Sequence, residues 1–334
     1  MKEWISKAHG LGASDVHFEA GTPVVARIKG ELAVIGGVIT GAQLSQAAQE
    51  LMGPEVWAHF PERGSADVSM TVDGARCRIS FYRTIRGLGM AVRLLAPSVS
   101  NLHSCNLHAD LHKLIEATSG LVVVSGRTGS GKSTTLAALI EEINSAEPRH
   151  IITLESPLEY IFTNRRSFIR QREIPTHSPS FEQAITDSLR ENPDVLVIGE
   201  MRSPEVIRLT LNAAETGHLV LATMHSATCT EALTRICMSF SPEIQGSIRA
   251  QLADCAVGVV CQRLEFMESR MIRVPICELM IANSSAKATI RSGQMSNIGN
   301  VIQTGTDDGM WTFERYQRWL NQRTDWSRQV TETP

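Results

Sequence analysis

Eight consecutive residues, Gly126-Arg127-Thr128-Gly129-Ser130-Gly131-Lys132-Ser133, carry the plainest chemistry in this chain. Glycines at the first and sixth places let backbone N–H groups curl around an anion, and a lysine and a hydroxyl follow directly. That spacing is a phosphate-binding P-loop. Lys132 is expected to bridge the β- and γ-phosphates of ATP, and the Ser133 hydroxyl to ligate Mg²⁺. Gly126, Thr128, Gly129, Ser130, Gly131 and Thr134 complete the expected phosphate cradle. Context supports the motif. Leu121 to Ser125 reads as a short buried strand, and Thr134 to Ile140 continues as a helix whose N-terminal dipole favours the anion.

Two other strand-like runs end in carboxylates. Asp194-Val195-Leu196-Val197-Ile198-Gly199-Glu200 is apolar up to its acid. Such a strand beside a P-loop strand holds Mg²⁺ directly or through water. Gly199 occupies the place where an aspartate is usual, so Glu200 is expected to take that role. His150 to Tyr160 also runs into acids, and Glu155 and Glu159 are the two candidates to orient or deprotonate an attacking water. His218 and His225 flank a third strand. A histidine beside a strand is ordinarily a satisfied polar group, but at the active edge of a P-loop sheet both become candidate sensors of bound phosphate.

The elements that must carry these groups alternate. Strands are expected at 121–125, 151–154, 195–198 and 219–223, with helices at 132–144, 180–190, 204–216 and 230–239. Alternating β and α elements imply an α/β fold with a parallel sheet covered on both faces. Residues 1–97 read instead as a small α+β domain. Strand-like residues 23–32 turn at Lys29-Gly30, helical spacing covers 43–52, and a hairpin joins 67–72 to 75–82 through Asp73-Gly74. A further strand is expected at 87–95. Residues 98–106 are expected as a linker (Pro97 to Asn101 is polar), 107–285 as the ATPase core, and 286–334 as a mostly helical segment.

Composition narrows the function classes. The chain has 334 residues, 43% hydrophobic and 20% charged, as an ordinary globular protein does. A net charge of −3 gives no general attraction to nucleic acid or acidic lipid. The basic run Arg165-Arg166 to Arg172 is closed by Glu173 and is expected as a solvated or subunit-facing surface. Seven cysteines without a C-x-x-C argue against a tetracysteine zinc site, and an odd count without a secretory signal fits a reducing compartment. Met1 to Lys7 has no apolar core of a signal peptide, and no apolar run of about 18 residues occurs. A cytoplasmic location is expected, with membrane association only through a partner.

Together the motifs resemble those of the type II/type IV secretion ATPases. Gly126–Thr134 is similar to the Walker A motif of that family, Glu155–Glu159 to its Asp box, Gly199-Glu200-Met201-Arg202 to its Walker B motif, and 216–219 with 223–226 to its His box. Arg190 to Asp194 and Ala213 to His218 look like the PilT-like pilus-retraction branch. Gly12 to His17, Arg76-Cys77-Arg78, Arg86 to Arg93 and Ile302 to Met310 extend the resemblance over nearly the whole chain. It implies a PAS-like first domain, a RecA-like second domain, a hexameric ring and ATP between the domains. By position it implies Glu159 as the water-activating acid, Glu200 as the Mg²⁺-linked acid, His218 and His225 as the His-box pair, and Arg78, Arg93 and Arg86 as arginines that reach the phosphates. The function implied is a cytoplasmic hexameric motor that hydrolyses ATP to retract a type IV pilus against an inner-membrane platform protein, without direct nucleic-acid contact.

Two departures qualify the branch. Ser156 stands where the Asp box has aspartate. Ala286 to Gly293 retains little of the A-I-R-N-L-I-R-E segment of the retraction motors. Ser156 together with 173–181 also looks like the DotB/TraJ branch, which serves type IVB secretion and conjugation. A regulatory partner subunit is a third reading, opposed by the intact Lys132, Ser133, Glu159 and Glu200. A RecA-type helicase is opposed by the net charge and by the lack of a basic, aromatic-rich channel.

Overall fold

The computed structural model describes residues 1–28, 30–95, 100–268, 270 and 272–327. The chain divides near residue 98 into two compact units, with Pro157–Tyr160 grouped with the first.

The first unit contains α1 (Lys2–Gly10), β1 (Ala13–Glu19), β2 (Pro23–Ile28), β3 (Glu31–Val38), α2 (Gly41–Arg63), β4 (Ser65–Val72), β5 (Ala75–Thr84) and β6 (Gly87–Leu94). Its strands pair antiparallel in the order β3-β2-β1-β6-β5-β4. Period-two alternation decides the faces. Cys77, Ile79 and Phe81 of β5, Val92 of β6 and Val16 and Phe18 of β1 point into a core closed by Ile5 of α1 and Leu44, Ala48 and Phe60 of α2. The opposite face carries polar residues. Ser69, Arg78, Arg93, Asp15 and Arg27 are successive register partners across five strands. The α2 helix opens on a capping box between Thr40 and Gln43, kinks at Gly53 and runs on to Arg63, past the stretch with helical spacing. Lys29 of the expected turn and residues 97–99 of the expected linker lie outside the described residues.

The second unit holds β7 (Gly120–Ser125), α3 (Lys132–Ala146), β8 (His150–Glu155), β9 (Phe168–Glu173), α4 (Phe181–Ser188), β10 (Val195–Ile198), α5 (Pro204–Glu215), β11 (Leu219–Met224), α6 (Cys229–Met238), α7 (Pro242–Cys255), β12 (Ala256–Met267), β13 (Ile272–Ile281), α8 (Ser284–Ser292), α9 (Ile298–Thr304) and α10 (Phe313–Gln322). The sheet order is β13-β12-β7-β11-β10-β8-β9. All neighbours are parallel except the edge strand β13, which runs antiparallel to β12. This is a RecA-like α/β sheet. Its central strands β7, β10 and β11 are buried at every position, as a sheet covered on both faces requires. Each buried aliphatic side chain there contributes about 1.5–3 kcal/mol relative to exposure.

Helix starts follow local chemistry. Ser180, Ser203, Thr228, Asn283 and Thr312 each accept a hydrogen bond from the backbone N–H three residues on, capping α4, α5, α6, α8 and α10. The basic run becomes β9 and its approach, and its arginines are largely paired: Arg165 with Glu141, and Arg170 and Arg172 with Glu191. The long β12–β13 hairpin, the α7 helix and β9 are elements that the sequence pattern alone did not assign. The C-terminal segment is less continuous than its helical reading. Gly293, in left-handed conformation, ends α8, and Trp311 pairs with Leu279 as an isolated bridge before α10. Ala286, Ile290 and Ile302 join one core of the second unit, and Tyr316 and Leu320 join the other. Residues 328–334 lie outside the described residues.

Candidate active site

Parallel strands bring their C-terminal ends to one edge of the sheet. Along that edge β7, β11, β10 and β8 are neighbours, about 4.8 Å apart, and deliver in turn the phosphate loop, His225, Glu200 and Glu155. Residues up to 100 positions apart therefore form one line for a topological reason.

The P-loop leaves β7 at Ser125, whose buried hydroxyl donates to the carbonyls of Ser226 (2.9 Å) and Met224 (3.2 Å) and accepts from the Ser226 N–H. That exchange ties the end of β7 to the loop carrying His225. Gly126 is obligatory at the next step. Its φ is +151°, and a Cβ there would lie 2.4 Å from both the Gln262 carbonyl and the Ser130 Oγ. Gly131, at φ 84°, is the N-cap residue of α3 and has no side chain to satisfy the helix. The N–H groups of the first turn are thus left facing outward beside Lys132, Ser133 and Thr134, the arrangement that binds phosphate.

Lys132 Nζ donates to the carbonyls of Gly126 (3.0 Å) and Arg127 (3.1 Å) and lies 3.5 Å from His225 Nδ1. His225 Nε2 lies 3.1 Å from Glu200 Oε1, and Glu200 Oε2 accepts from Arg202 at 2.7 Å. An ammonium can only donate, so His225 accepts on Nδ1 and carries its proton on Nε2, directed at Glu200. Burial alone would raise the Glu200 carboxyl, but the hydrogen bond and charge of Arg202, with His225 and Lys132, outweigh it and hold the carboxyl below its ordinary value. Glu200 is therefore an ionised acid at neutral pH, one-fifth exposed.

Gly199 has a steric explanation. Its N–H donates to Leu154 O at 2.7 Å, and a Cβ would sit 3.0 Å from that oxygen and 3.2 Å from Glu155 Cα. No aspartate side chain fits there without displacing the end of β8. Thr223 locks the same corner by donating to the Gly199 carbonyl, while Met201 N–H returns a bond to Thr223. Glu155 ends β8 and accepts from Thr153 Oγ1 at 2.7 Å. Glu159 stands beyond it, half-buried, in the irregular segment that leads to β9. Buried Asn144 fastens that segment to α3 by donating to Thr163 O (2.9 Å) and accepting from Arg165 N–H (3.1 Å).

His218 corrects the sequence reading. It precedes β11, whereas the P-loop follows β7. In a parallel pair those are opposite ends, roughly 20 Å apart at about 3.3 Å per residue. There its Nδ1 lies 3.0 Å from the Ala213 carbonyl at the end of α5, and within the chain it does not line the phosphate loop. The arginines lie in the first unit. Arg93 pairs with Asp15 at 3.1 Å, Arg78 faces Asp67 at 4.0 Å, and Arg86 is exposed in the turn between β5 and β6.

One residue of the site escaped the sequence reading. Gln262 of β12 is buried, donates from Nε2 to Ser130 O at 2.5 Å and accepts from Thr135 Oγ1 at 2.6 Å. It holds the tip of the P-loop to the start of α3. No motif marks it, because its partners lie about 130 residues earlier and only the β12–β7 pairing brings them together.

Fold and site together define a P-loop ATPase. The chain belongs to the family described as Type II/IV secretion system protein, whose model matches residues 1–292. It is 35% identical over 316 residues to the uncharacterized protein YggR of Escherichia coli K12, covering 94% of this chain and 96% of that one. It is 33% identical over 305 residues to the type IV pilus retraction ATPase PilT of Pseudomonas aeruginosa, covering 91% and 88%. A crystal structure of the pilus retraction motor PilT with bound ADP superposes with a TM-score of 0.89 at 32% identity, covering 100% of this chain and 97% of that one. The chain is a PilT-like ATP hydrolase that binds nucleotide. Among the described residues, no helix is long and apolar enough to cross a membrane.

Proposed function

We propose that this protein is a hexameric motor ATPase that retracts type IV pili from the cytoplasmic face of the inner membrane, working on a platform protein embedded there. The observation that carries the proposal is the Lys132–His225–Glu200 line beside an uncapped helix N-terminus, within a chain similar to PilT over nearly its whole length. The first-turn N–H groups of α3 and Lys132 would hold the phosphates. Mg²⁺ suits the oxygen donors Ser133 and ionised Glu200, and when bound it would neutralise phosphate charge. Glu159 would activate water, with Glu155 as the neighbouring acid. His225, hydrogen-bonded to Glu200 and close to Lys132, would report whether phosphate is present. Arg78, Arg93 and Arg86 would add positive charge at the phosphates in the assembled ring. His218, at the far edge of its own sheet, would serve a contact other than its own P-loop.

The first test is steady-state ATP turnover of wild type beside Glu159→Ala and Lys132→Ala, with assembly state followed on the same samples. Turnover that both variants abolish, in rings of six, is expected. Wild-type rings that bind nucleotide without turnover would defeat the motor reading in favour of a regulatory subunit. In the host, replacing the protein with Glu159→Ala should leave surface pili extended and abolish twitching. Normal retraction with impaired secretion or conjugation would overturn the pilus assignment.

A further inference from the structure

Three side chains that the ATPase chemistry does not use meet inside the second unit. Cys229 is the first residue of α6, Cys261 lies on β12, and Glu278 of β13 is the register partner of Cys261. Their donor atoms all lie within 4.8 Å of one another. Both cysteines are 0% exposed and Glu278 is half-buried. Glu278 Oε2 accepts the Cys229 N–H at 2.6 Å, and among the described residues no lysine, arginine or histidine forms an ion pair with this carboxylate. An interior carboxylate is normally retained because a cation accompanies it. Two thiols beside it supply the softer donors of a metal site.

We propose that Cys229, Cys261 and Glu278 form a site for one thiophilic divalent cation of the Zn²⁺ class, held by two thiolates and a carboxylate oxygen. Thiolate donors select such an ion over Mg²⁺, which takes oxygen, so this site is chemically distinct from the nucleotide-linked one. Binding releases the two thiol protons and needs no oxidant. Tetrahedral zinc geometry sets its donors about 3.6–3.8 Å apart. The present spacing, within 4.8 Å for all three donors, is the starting point for that geometry.

The location gives the ion a consequence. Cys261 pairs in register with Ser125, the residue that opens the P-loop and grips Ser226. The next residue, Gln262, clasps Ser130. Cys229 follows Ser226 by three residues, so an ion here would join α6, β12 and β13 directly behind the phosphate loop and the His225 loop. The site is proposed independently of the pilus assignment.

The test uses the full-length protein, stripped with chelator under reductant. Zn²⁺ is added in competition with a chromophoric chelator, and Co²⁺ serves as a spectroscopic probe. The expected result is one tight equivalent per chain, a thiolate-to-cobalt charge-transfer band and a melting temperature raised by several degrees. Cys261→Ser should weaken Zn²⁺ at least tenfold, Glu278→Gln should weaken it less, and Cys237→Ser, a buried cysteine outside the cluster, should leave it unchanged. If Cys261→Ser does not fold, the wild-type cobalt spectrum decides alone. Absence of a thiolate band, or zinc binding that depends on Cys237 and not on Cys261, would overturn the proposal.

Discussion

At the scale of single residues, the site works by assigning each polar group one state. Lys132 can only donate, which fixes the proton of His225 on Nε2 and directs it at Glu200. Arg202 completes the neutralisation from the other oxygen. The pH consequence has a definite sign. The folded Glu200 carboxyl lies below the ordinary value of 4.5, so it contributes stability that is fully present above that pH and is lost as pH falls through the depressed folded value. The stability difference between wild type and Glu200→Gln should therefore be constant from neutral pH down to about 5 and shrink in more acidic solution. Denaturant titrations at a series of pH values read this directly, and a difference that grows on acidification would contradict the ion pairing. Glu200 and the P-loop residues were legible from types and spacing, since a glycine-rich loop and a strand-terminal acid are local signals. The reason for Gly199 was not, because it is the backbone of β8, not its own neighbours, that crowds a side chain there.

At the scale of elements, the β12–β13 hairpin matters most and was least legible. The first half of β12 is an unbroken run of apolar residues and glycine, and periodicity cannot separate such a run from a buried helix. Its placement beside β7 delivers Gln262 to the P-loop. Replacing Gln262 with Met keeps the volume but leaves the Ser130 carbonyl and the Thr135 hydroxyl buried without that partner. The expected cost is about 1–3 kcal/mol of stability, together with weaker nucleotide binding. Equilibrium unfolding and a nucleotide titration on the same variant check both, and an unchanged nucleotide affinity would reduce Gln262 to a core residue. The His218 reading failed at this scale for a reason already present in the sequence. A residue before a parallel strand lies at the opposite edge from a loop that follows one.

At the scale of the whole molecule, the first unit contributes a polar row, Arg78 and Arg93 adjacent in it, on the face of its sheet away from the core. Their local partners Asp67 and Asp15 form surface ion pairs, each stabilising the fold by about 0–1 kcal/mol. Arg78→Ala and Arg93→Ala should therefore leave the melting temperature nearly unchanged. In assembled protein each should lower ATP turnover at least tenfold, since a lost arginine leaves transition-state charge unbalanced. Full turnover in an assembled double variant would show that these side chains serve only the surface of the first unit.

The sequence by itself determined the chemistry that is written in consecutive residues. The P-loop, the capped helices, the buried strands and the antiparallel hairpin of the first unit all follow from local sterics, hydrogen bonding and hydrophobic period. Only the tertiary structure decided what depends on strand order. The order β12-β7-β11-β10-β8 sets Gln262, Lys132, His225, Glu200 and Glu155 side by side, sends His218 to the far edge and closes two distant cysteines on one glutamate. Strand order follows from burying both faces of the sheet at once, and no window of neighbouring residues contains that requirement.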